Sequence, residues 1–463
     1  MGGSVKGDNH RQPPNPVIPN KQEVTHQALP RVIGAVGSIA LVVGTIIGSG
    51  IFLVTHNVAQ QVGSVRGLLL VWVVGGVLTL AGALSLAELG AAMPEAGGLY
   101  VYLREAYGRL PAFLLGWGNL LVIESGAVAT LAVGFGIYAA RIAPLTAVGQ
   151  KVTACAVIAV LALVNIAGAR QGSFVQTLFT AAKLAGIAAI IGCAVVYHGA
   201  HHFHSLPALP TLHTSFGSFG VALVGVLWAY SGWYELSYSA GEVKNPGKTL
   251  PRSYLFGVLI VMAAYLSANV AYVHALPLRA LAEYQDVAAR AMQIFAGPAG
   301  AAFISVLILC SIFGALNGTI LTGTRTYFVM ARDGLFFSAV GRAHPRFQTP
   351  VLAIIIESAW AAVLAASGSY QQLYTYVIFT AWIFFAACVF GVLVLRRRMP
   401  RQGRPYRVWG YPVLPIAFTI AALAVVGNTL VSEPRESILG LLLILTGVPV
   451  YFIWTRRVSG PAA

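Results

Sequence analysis

Three glycines and a serine interrupt the first long apolar run of the chain, which reads G-T-I-I-G-S-G-I-F from Gly44 to Phe52. Each glycine costs about 1 kcal/mol relative to alanine inside a helix. A freed backbone at membrane depth is tolerated only where it is buried in protein or lines a polar cavity. The helix is therefore predicted to open here. A half-helix starting near Ser49 would offer free N–H groups to an anion, and a half ending near Ile46 would offer carbonyls to a cation.

An α-amino acid carries one anionic and one cationic group, so a zwitterion would satisfy both helix ends. The alternative is a face for close helix packing, because small residues spaced by four also let two backbones approach each other. Adjacent Gly-Ser-Gly is denser than such packing needs, which favours a ligand site.

A second interruption lies in the sixth apolar run, where Tyr230-Ser231-Gly232-Trp233 stands at the midpoint. Two interrupted helices in corresponding positions are the best sequence pointer to an inverted-repeat transporter. Spans one to five and six to ten would then form two repeats with the site between them, and spans eleven and twelve would be additional.

Polar and ionisable residues inside the apolar runs are the next candidates. Glu124 in the third span costs about 2.5 to 3.5 kcal/mol unless it is protonated or paired with a substrate amine or another helix. Lys183 lies about a dozen residues into the fifth span with no acidic residue one turn away, so its ammonium must find carbonyls or a distant carboxylate. Asn317 in the eighth span either hydrogen-bonds the first helix or serves as general helix-helix glue. For Glu124 and Asn317 both the functional and the structural role stay open.

The composition is that of a polytopic membrane protein. Of 463 residues, 57% are hydrophobic and 9% charged, against about 25% charged in soluble domains, and the mean hydropathy is +0.77. A crossing needs about 20 apolar residues, which predicts about twelve spans. Their centres lie near Val43, Val77, Val128, Val160, Ala188, Val226, Val261, Ile312, Ala359, Phe384, Ala422 and Leu445.

The net charge of +15 follows the loops and does not indicate nucleic-acid binding. With twelve spans and a cytoplasmic N-terminus, 22 of the 29 Lys and Arg residues fall on the inner side and 6 on the outer side, as the positive-inside rule requires.

Four cysteines in apolar spans without paired spacing predict neither a disulfide framework nor a zinc site. The histidines at the outer loop after the fifth span (His198, His201, His202, His204) are interpreted as part of a solvated polar loop. No metal and no cofactor is predicted.

Several motifs occur together in one order. They are A-E-L-G-A-A-M-P-E-A-G-G-L-Y-V-Y-L-R-E-A-Y-G at Ala87 to Gly108, W-A-Y-S-G-W-Y-E at Trp228 to Glu235, G-E-V-K-N-P-G-K-T-L-P-R at Gly241 to Arg252, F-G-A-L-N-G-T at Phe313 to Thr319, and R-T-Y-F-V-M-A-R-D-G at Arg325 to Gly334. With the glycine-rich stretch, they resemble the amino acid, polyamine and organocation (APC) superfamily of transporters. More narrowly, they are similar to bacterial relatives of the L-type amino acid transporters.

The resemblance implies an all-α integral membrane fold of about twelve helices, with a five-plus-five inverted repeat and two extra helices. The implied divisions are a disordered cytoplasmic tail (1–30), repeat 1 (31–198), an outer loop (199–215), repeat 2 (216–398), helices eleven and twelve (399–457) and a cytoplasmic C-terminal tail (458–463). The implied location is the cell (inner) membrane, with both termini in the cytoplasm.

The resemblance also implies residue roles. Trp228 matches an aromatic gate that covers bound substrate, where its ring would add a cation–π interaction of about 0.5 to 2 kcal/mol to an ammonium. Lys183 matches a lysine that replaces the sodium ion of sodium-driven relatives and touches the first and eighth helices, and it could also carry a coupling proton. Glu235 matches a contact to the substrate side chain. The outer loop from Ile142 to Lys151 lacks the cysteine that ties animal L-type transporters to a heavy subunit, so no disulfide-linked heavy subunit is expected.

The predicted function is sodium-independent secondary active transport of L-amino acids by alternating access, as an exchanger or with proton coupling. The alternative is a cationic amino acid or polyamine transporter of the same superfamily. An enzyme is not predicted, because no constellation of His, Asp and Ser recurs at depth with catalytic spacing.

The predicted site has the substrate carboxylate at the N–H groups of Gly48, Ser49 and Gly50, the ammonium at the carbonyls of Thr45, Ile46, Trp228 and Ser231, and the side chain toward Glu124, Trp233 and Glu235.

Overall fold

The computed structural model describes residues 31–94, 97–167, 172–197, 215–342, 344 and 349–458. The predicted N-terminal tail, the four-histidine cluster, nearly all of the predicted outer loop and residues 459–463 lie outside these ranges. The helices, in chain order, are α1 (Ala35–Ile46), α2 (Gly50–Gln61), α3 (Val65–Ala92), α4 (Leu99–Tyr107), α5 (Arg109–Gly118), α6 (Glu124–Ile142), α7 (Ala147–Ala167), α8 (Gly172–Val196), α9 (Phe216–Ala229), α10 (Glu235–Tyr238), α11 (Pro246–Ala275), α12 (Leu278–Glu283), α13 (Val287–Arg332), α14 (Val351–Ser367), α15 (Tyr370–Arg398), α16 (Val413–Ser432), α17 (Pro434–Leu445) and α18 (Gly447–Val458).

The apolar runs of the sequence all became helices, and each of the twelve predicted span centres lies within one. By length and composition, eight of the described helices can cross a membrane, and the bent pair α1 and α2 makes a ninth. Three further apolar helices are shorter, at Lys183–Val196, Phe216–Ala229 and Val351–Ser367. The all-helical membrane fold is confirmed, while the number of twelve spans stays a prediction.

The two interrupted helices lie inside the bundle. Helix α1 packs against α11, α2 against α9, and α6 against α13, so the breaks are surrounded by protein. Apolar side chains on the outer helices remain exposed, for example Leu163 on α7 and Ile420 on α16. Such exposure is what a lipid-facing surface requires, because lipid tails are as apolar as these side chains.

The short helix α4 spans Leu99–Tyr107. Its flanking residues Gly98 and Gly108 have φ angles of +48° and +96°, which glycine adopts without steric cost. The Arg104 guanidinium and the Tyr100 hydroxyl both donate to Asp333 Oδ2, at 3.0 and 2.9 Å. Burial and the Asp333 charge raise the pKa of Tyr100, so its hydroxyl remains a donor and helps tie α4 to the end of α13.

A buried carboxylate organises the basic end of the bundle, here called the inner end. Glu88, 1% exposed, accepts both guanidinium hydrogen bonds of Arg396 at 2.7 and 2.6 Å. Arg404 lies 3.3 Å from the same carboxylate, and the Val408 N–H donates to it at 2.7 Å. The basic segment from Arg396 to Arg407 therefore connects α3 to the end of α15 and to the loop that precedes α16.

Candidate functional site

The first break has the predicted position. Helix α1 ends at Ile46, Ile47 is extended (φ −72°, ψ 97°), and α2 begins after Ser49. The two half-helices are bent by 46° relative to each other. A Cβ at Gly50 would overlap the backbone of Ala229, so only glycine lets α2 approach α9 this closely.

The second break touches the first. Helix α9 ends at Ala229, and Gly232 in the following turn has a φ of +101°. A Cβ at Gly232 would lie 2.5 Å from the Thr45 carbonyl oxygen. The Thr45 Oγ1 lies 3.1 Å from the Gly232 carbonyl oxygen and also within hydrogen-bonding distance of two carbonyls of its own helix. The structure thus brings the two glycine-rich stretches together although 187 residues separate Thr45 from Gly232.

One tyrosine hydroxyl lies between the two helix ends. Tyr265 on α11, fully buried, lies 3.1 Å from the Ile46 carbonyl and 3.0 Å from the Ala229 carbonyl. These are the last carbonyls of α1 and α9, which have no intrahelical donor. Sequence reasoning missed Tyr265, since a single tyrosine in an apolar helix carries no distinguishing signal. In this conformation it engages Ile46, one of the carbonyls predicted for the substrate ammonium.

The predicted gate residue Trp228 belongs to a buried hydrogen-bonded chain. Its indole N–H donates to the Tyr370 hydroxyl at 3.0 Å, and the same hydroxyl lies 2.9 Å from Ser49 Oγ. The Trp228 ring stacks on Tyr374, with centroids 6.5 Å apart and planes 16° apart. Tyr370 and Tyr374 on α15 were not predicted. They join the first turn of α2 to the last turn of α9.

Lys183 reaches the first break. Its side chain is 1% exposed, and its ammonium donates to the Gly44 carbonyl at 2.8 Å. Asn317 forms a different contact: its side-chain oxygen accepts from Asn165 on α7 at 2.8 Å. This hydrogen bond links α13 to α7, as expected for a residue that holds helices together, and the contact of Asn317 with the first helix stays a prediction.

The residues predicted for the substrate side chain separate into two groups. Glu124 and Glu235 are both buried, and the Tyr234 hydroxyl lies 3.5 Å from Glu124. Trp233 turns away to pack on Phe385 at a centroid distance of 5.0 Å. A Cβ at Gly82 on α3 would lie 2.8 Å from the Trp233 ring, so this tryptophan fills space between α3 and α15.

A third buried carboxylate, Glu357 on α14, was missed. It is 0% exposed, and its charge interacts with the charges of Glu124 and Glu235. The signal was present, since an ionisable residue inside the apolar run V-L-A-I-I-I-E-S-A-W is a functional candidate by the same rule that selected Glu124.

The end of the bundle opposite the basic segment, here called the outer end, contains a cavity of about 450 Å³ lined by Ser369, Gln371, Gln372, Thr375, Glu433 and Glu436. A smaller space that shares Thr375 and Glu433 is also lined by Tyr374, whose ring stacks on Trp228. The aromatic pair therefore connects the lining of this smaller space to the end of α9.

Two helices broken at contacting points inside an apolar helical bundle define a membrane transporter with a central site. A family model for amino acid permeases matches residues 33–453. The chain belongs to this family, within the APC superfamily, and it is an amino acid transporter rather than an enzyme.

Its similarity to individual proteins extends over nearly the whole chain. It is 36% identical to the serine/threonine exchanger SteT of Bacillus subtilis (strain 168), covering 93% of this chain and 98% of that protein. It is 33% identical to the b(0,+)-type amino acid transporter 1 of Homo sapiens, covering 95% and 92%. It is 32% identical to the Asc-type amino acid transporter 1 of Mus musculus, covering 92% and 81%.

Proposed function

We propose that this chain carries L-amino acids across the cell membrane by sodium-independent alternating access, with the zwitterion held between the two breaks. The observation that carries the proposal is the direct contact of the breaks through Thr45 and Gly232. It puts the N-terminal end of α2 and the C-terminal end of α1 beside the end of α9. Opposite helix-dipole ends at one point suit the two charges of an amino acid.

The backbone groups of the breaks select the class of substrate. The proposed carboxylate donors are the N–H groups of Gly48, Ser49 and Gly50, and the proposed ammonium acceptors are the carbonyls of Thr45, Ile46, Trp228 and Ser231. For the ammonium to bind, Tyr265 would have to release Ile46. Serine and threonine are the first substrates to test, because a relative along the full length is a serine/threonine exchanger.

Lys183 supports sodium independence. Its ammonium binds the Gly44 carbonyl at 2.8 Å, one of the oxygen atoms that the end of α1 could offer to a metal ion. A fixed positive charge repels a second cation and also occupies the acceptor. Lys183 would then stabilise the opened end of α1 without any bound ion.

The test is counterflow in proteoliposomes. Vesicles loaded with unlabelled serine should accumulate labelled serine transiently, and replacing external sodium by choline should leave the rate unchanged. Saturable counterflow excludes a channel. Absence of uptake for every neutral amino acid, or a strict need for sodium, would overturn the proposal.

The alternative substrate class is a cationic amino acid or a polyamine. It is favoured by Glu124 and Glu235, which have no ion pair within the part of the chain that the structure describes. A competition panel of serine, arginine and a polyamine against labelled serine separates the two classes. Preference for arginine or the polyamine, with no competition by neutral amino acids, would favour the alternative.

The chain is further proposed to act in the inner membrane without a disulfide-linked heavy subunit and with both termini in the cytoplasm. The loop from Ile142 to Lys151 contains no cysteine, and the distribution of basic residues follows the positive-inside rule.

A further inference from the structure

Two carboxylates from different helices, Glu357 and Glu124, meet at one glycine of α13, and the charge of Glu235 reaches both of them. A Cβ at Gly323 would contact Glu357 Oε1 directly and would lie 3.0 Å from Glu124 Cβ. Glu235 interacts electrostatically with both acids. The residues Glu124, Glu235 and Glu357, here called the acidic cluster, are 2%, 8% and 0% exposed. Glycine at position 323 gives the Glu357 carboxyl the space to approach Glu124.

Four of the six carboxyl oxygen atoms of the acidic cluster lack donors in the described part of the chain. Both Glu357 oxygens and one oxygen each of Glu124 and Glu235 have no hydrogen-bond partner among the described residues. The Tyr327 hydroxyl, one helical turn beyond Gly323, is also unpartnered and only 1% exposed. Its electrostatic interactions are with Glu357 and Glu124, so a polar group outside the carboxylates also faces the cluster.

The neighbours do not neutralise three negative charges. The uncharged tyrosines near the cluster are Tyr234, Tyr238, Tyr254 and Tyr327. Arg325 is the cation whose charge reaches Glu235, but its guanidinium is nearly half exposed and lies 3.9 Å from Glu242. Within the described residues, no group of three His, Cys, Asp or Glu side chains has the geometry of a metal site.

We propose that the acidic cluster is a proton-binding site whose protons travel with the transported amino acid. Three adjacent ionised carboxylates buried without a cation would repel each other and lose their hydration. Protons satisfy such a cluster without any additional space. A substrate ammonium could compensate for one charge at most, and Glu357 on α14 is not part of either break. The coupling to an amino acid rests on the proposed carrier function, whereas proton binding by the cluster does not.

The cycle conserves charge and protons. In the closed conformation the carboxyl groups hold their protons. When the carrier opens inward, water reaches the cluster, a carboxyl group gives its proton to that water, and a hydrated carboxylate remains. The empty carrier then returns with one carboxylate, which the neighbouring protonated carboxyl groups stabilise by donating hydrogen bonds to it. It takes up one proton on the outer side before it closes over the next substrate. Amino acid uptake is therefore expected to carry protons inward.

The unmodified protein provides the first test. Proteoliposomes enclosing a pH-sensitive dye should acidify internally when serine is added outside, and uptake should be several-fold faster at an external pH of about 5.5 than at about 7.5, the range in which perturbed carboxyls titrate. Net serine uptake into serine-free vesicles without internal acidification, and with equal rates at both pH values, would overturn the proton proposal. It would leave the carrier function intact, so the two proposals fail separately.

Glu357→Gln provides the second test, because an amide resembles a protonated carboxyl group in shape and cannot release a proton. The variant should retain serine counterflow while internal acidification falls at least several-fold and the pH dependence flattens. Glu283→Gln is the matched control, since this carboxylate is exposed and pairs with Arg279; it should behave like the unmodified protein. A Glu357→Gln protein with unchanged acidification would contradict the assignment.

Discussion

Gly232 shows how a single residue sets the geometry of the site. Its φ of +101° is a conformation that side chains with a Cβ rarely adopt. The missing Cβ also leaves room for the Thr45 carbonyl. The turn after α9 can therefore lie directly on the end of α1, which puts two helix termini at one point.

Gly232→Ala is expected to lower both stability and transport. The cost combines the strained φ angle, about 1 to 2 kcal/mol, with a collision against backbone that cannot move alone. The melting temperature of the detergent-solubilised protein measures the first effect and serine counterflow the second. Gly192→Ala on α8 is the control, since nothing lies within 4 Å of its Cβ position. Equal melting temperatures for the two variants would contradict this account.

Lys183→Ala is expected to slow transport more than it weakens substrate binding. The ammonium bonds the end of α1 at Gly44 and not the groups proposed to hold the substrate. We expect uptake to fall roughly tenfold or more, about 1.4 kcal/mol in the barrier, with a smaller change in the dissociation constant. Lys151→Ala, at an exposed lysine that donates to the Ala366 carbonyl, is the control. Equal losses of transport and binding would instead assign Lys183 to the ligand site or to folding.

At the scale of elements, Tyr265 connects α11 to both half-helices. One hydroxyl between the Ile46 and Ala229 carbonyls holds the ends of α1 and α9 together. Tyr265→Phe would leave both buried carbonyls without this donor, at a cost of about 1 to 3 kcal/mol. We expect a lower melting temperature that added substrate partly restores, because the substrate ammonium would supply the missing donor. If serine raises the melting temperature of the variant no more than that of the unmodified protein, these carbonyls do not bind the substrate ammonium.

The hydrogen bonds and ion pairs of Glu88 are expected to stabilise the inner end of the bundle. Glu88→Ala would leave Arg396 without its bidentate partner and remove the acceptor of the Val408 N–H. Removing one partner of a buried pair costs about 3 to 5 kcal/mol. The half-buried pair of Arg104 and Glu105, which lies nearer to solvent, supplies the comparison, because Glu105→Ala should cost less than about 1 kcal/mol. Thermal unfolding in detergent measures both; similar losses would show that the network contributes little.

At the scale of the whole molecule, the orientation can be tested by labelling. Single cysteines introduced at Arg397 and Arg435 into a cysteine-free protein should react from opposite sides with a membrane-impermeant maleimide. Arg397 should react only in inverted vesicles and Arg435 only in intact cells, as the positive-inside rule requires. Reaction of both from the same side would contradict the predicted topology.

The sequence was informative where backbone chemistry is local. Gly48, Ser49 and Gly50 marked the first break, Gly232 marked the second, and Gly98 and Gly108 bounded α4, because glycine acts on its own φ and ψ angles. The side-chain contacts were harder to infer. Asn317 contacts Asn165 and Trp233 contacts Phe385, and both partners lie on helices that only folding brings close.

By itself, the sequence determined that the chain is an all-helical membrane protein, that two of its helices open, and which ionisable groups enter the apolar bundle. These properties depend on hydrophobicity and backbone conformation, which each segment carries alone. Only the tertiary structure decided that Tyr265 lies between both helix ends, that Tyr370 joins Ser49 to Trp228, and that Glu357 completes an acidic cluster. Such contacts arise where helices distant in the chain cross, so no segment contains the information that specifies them.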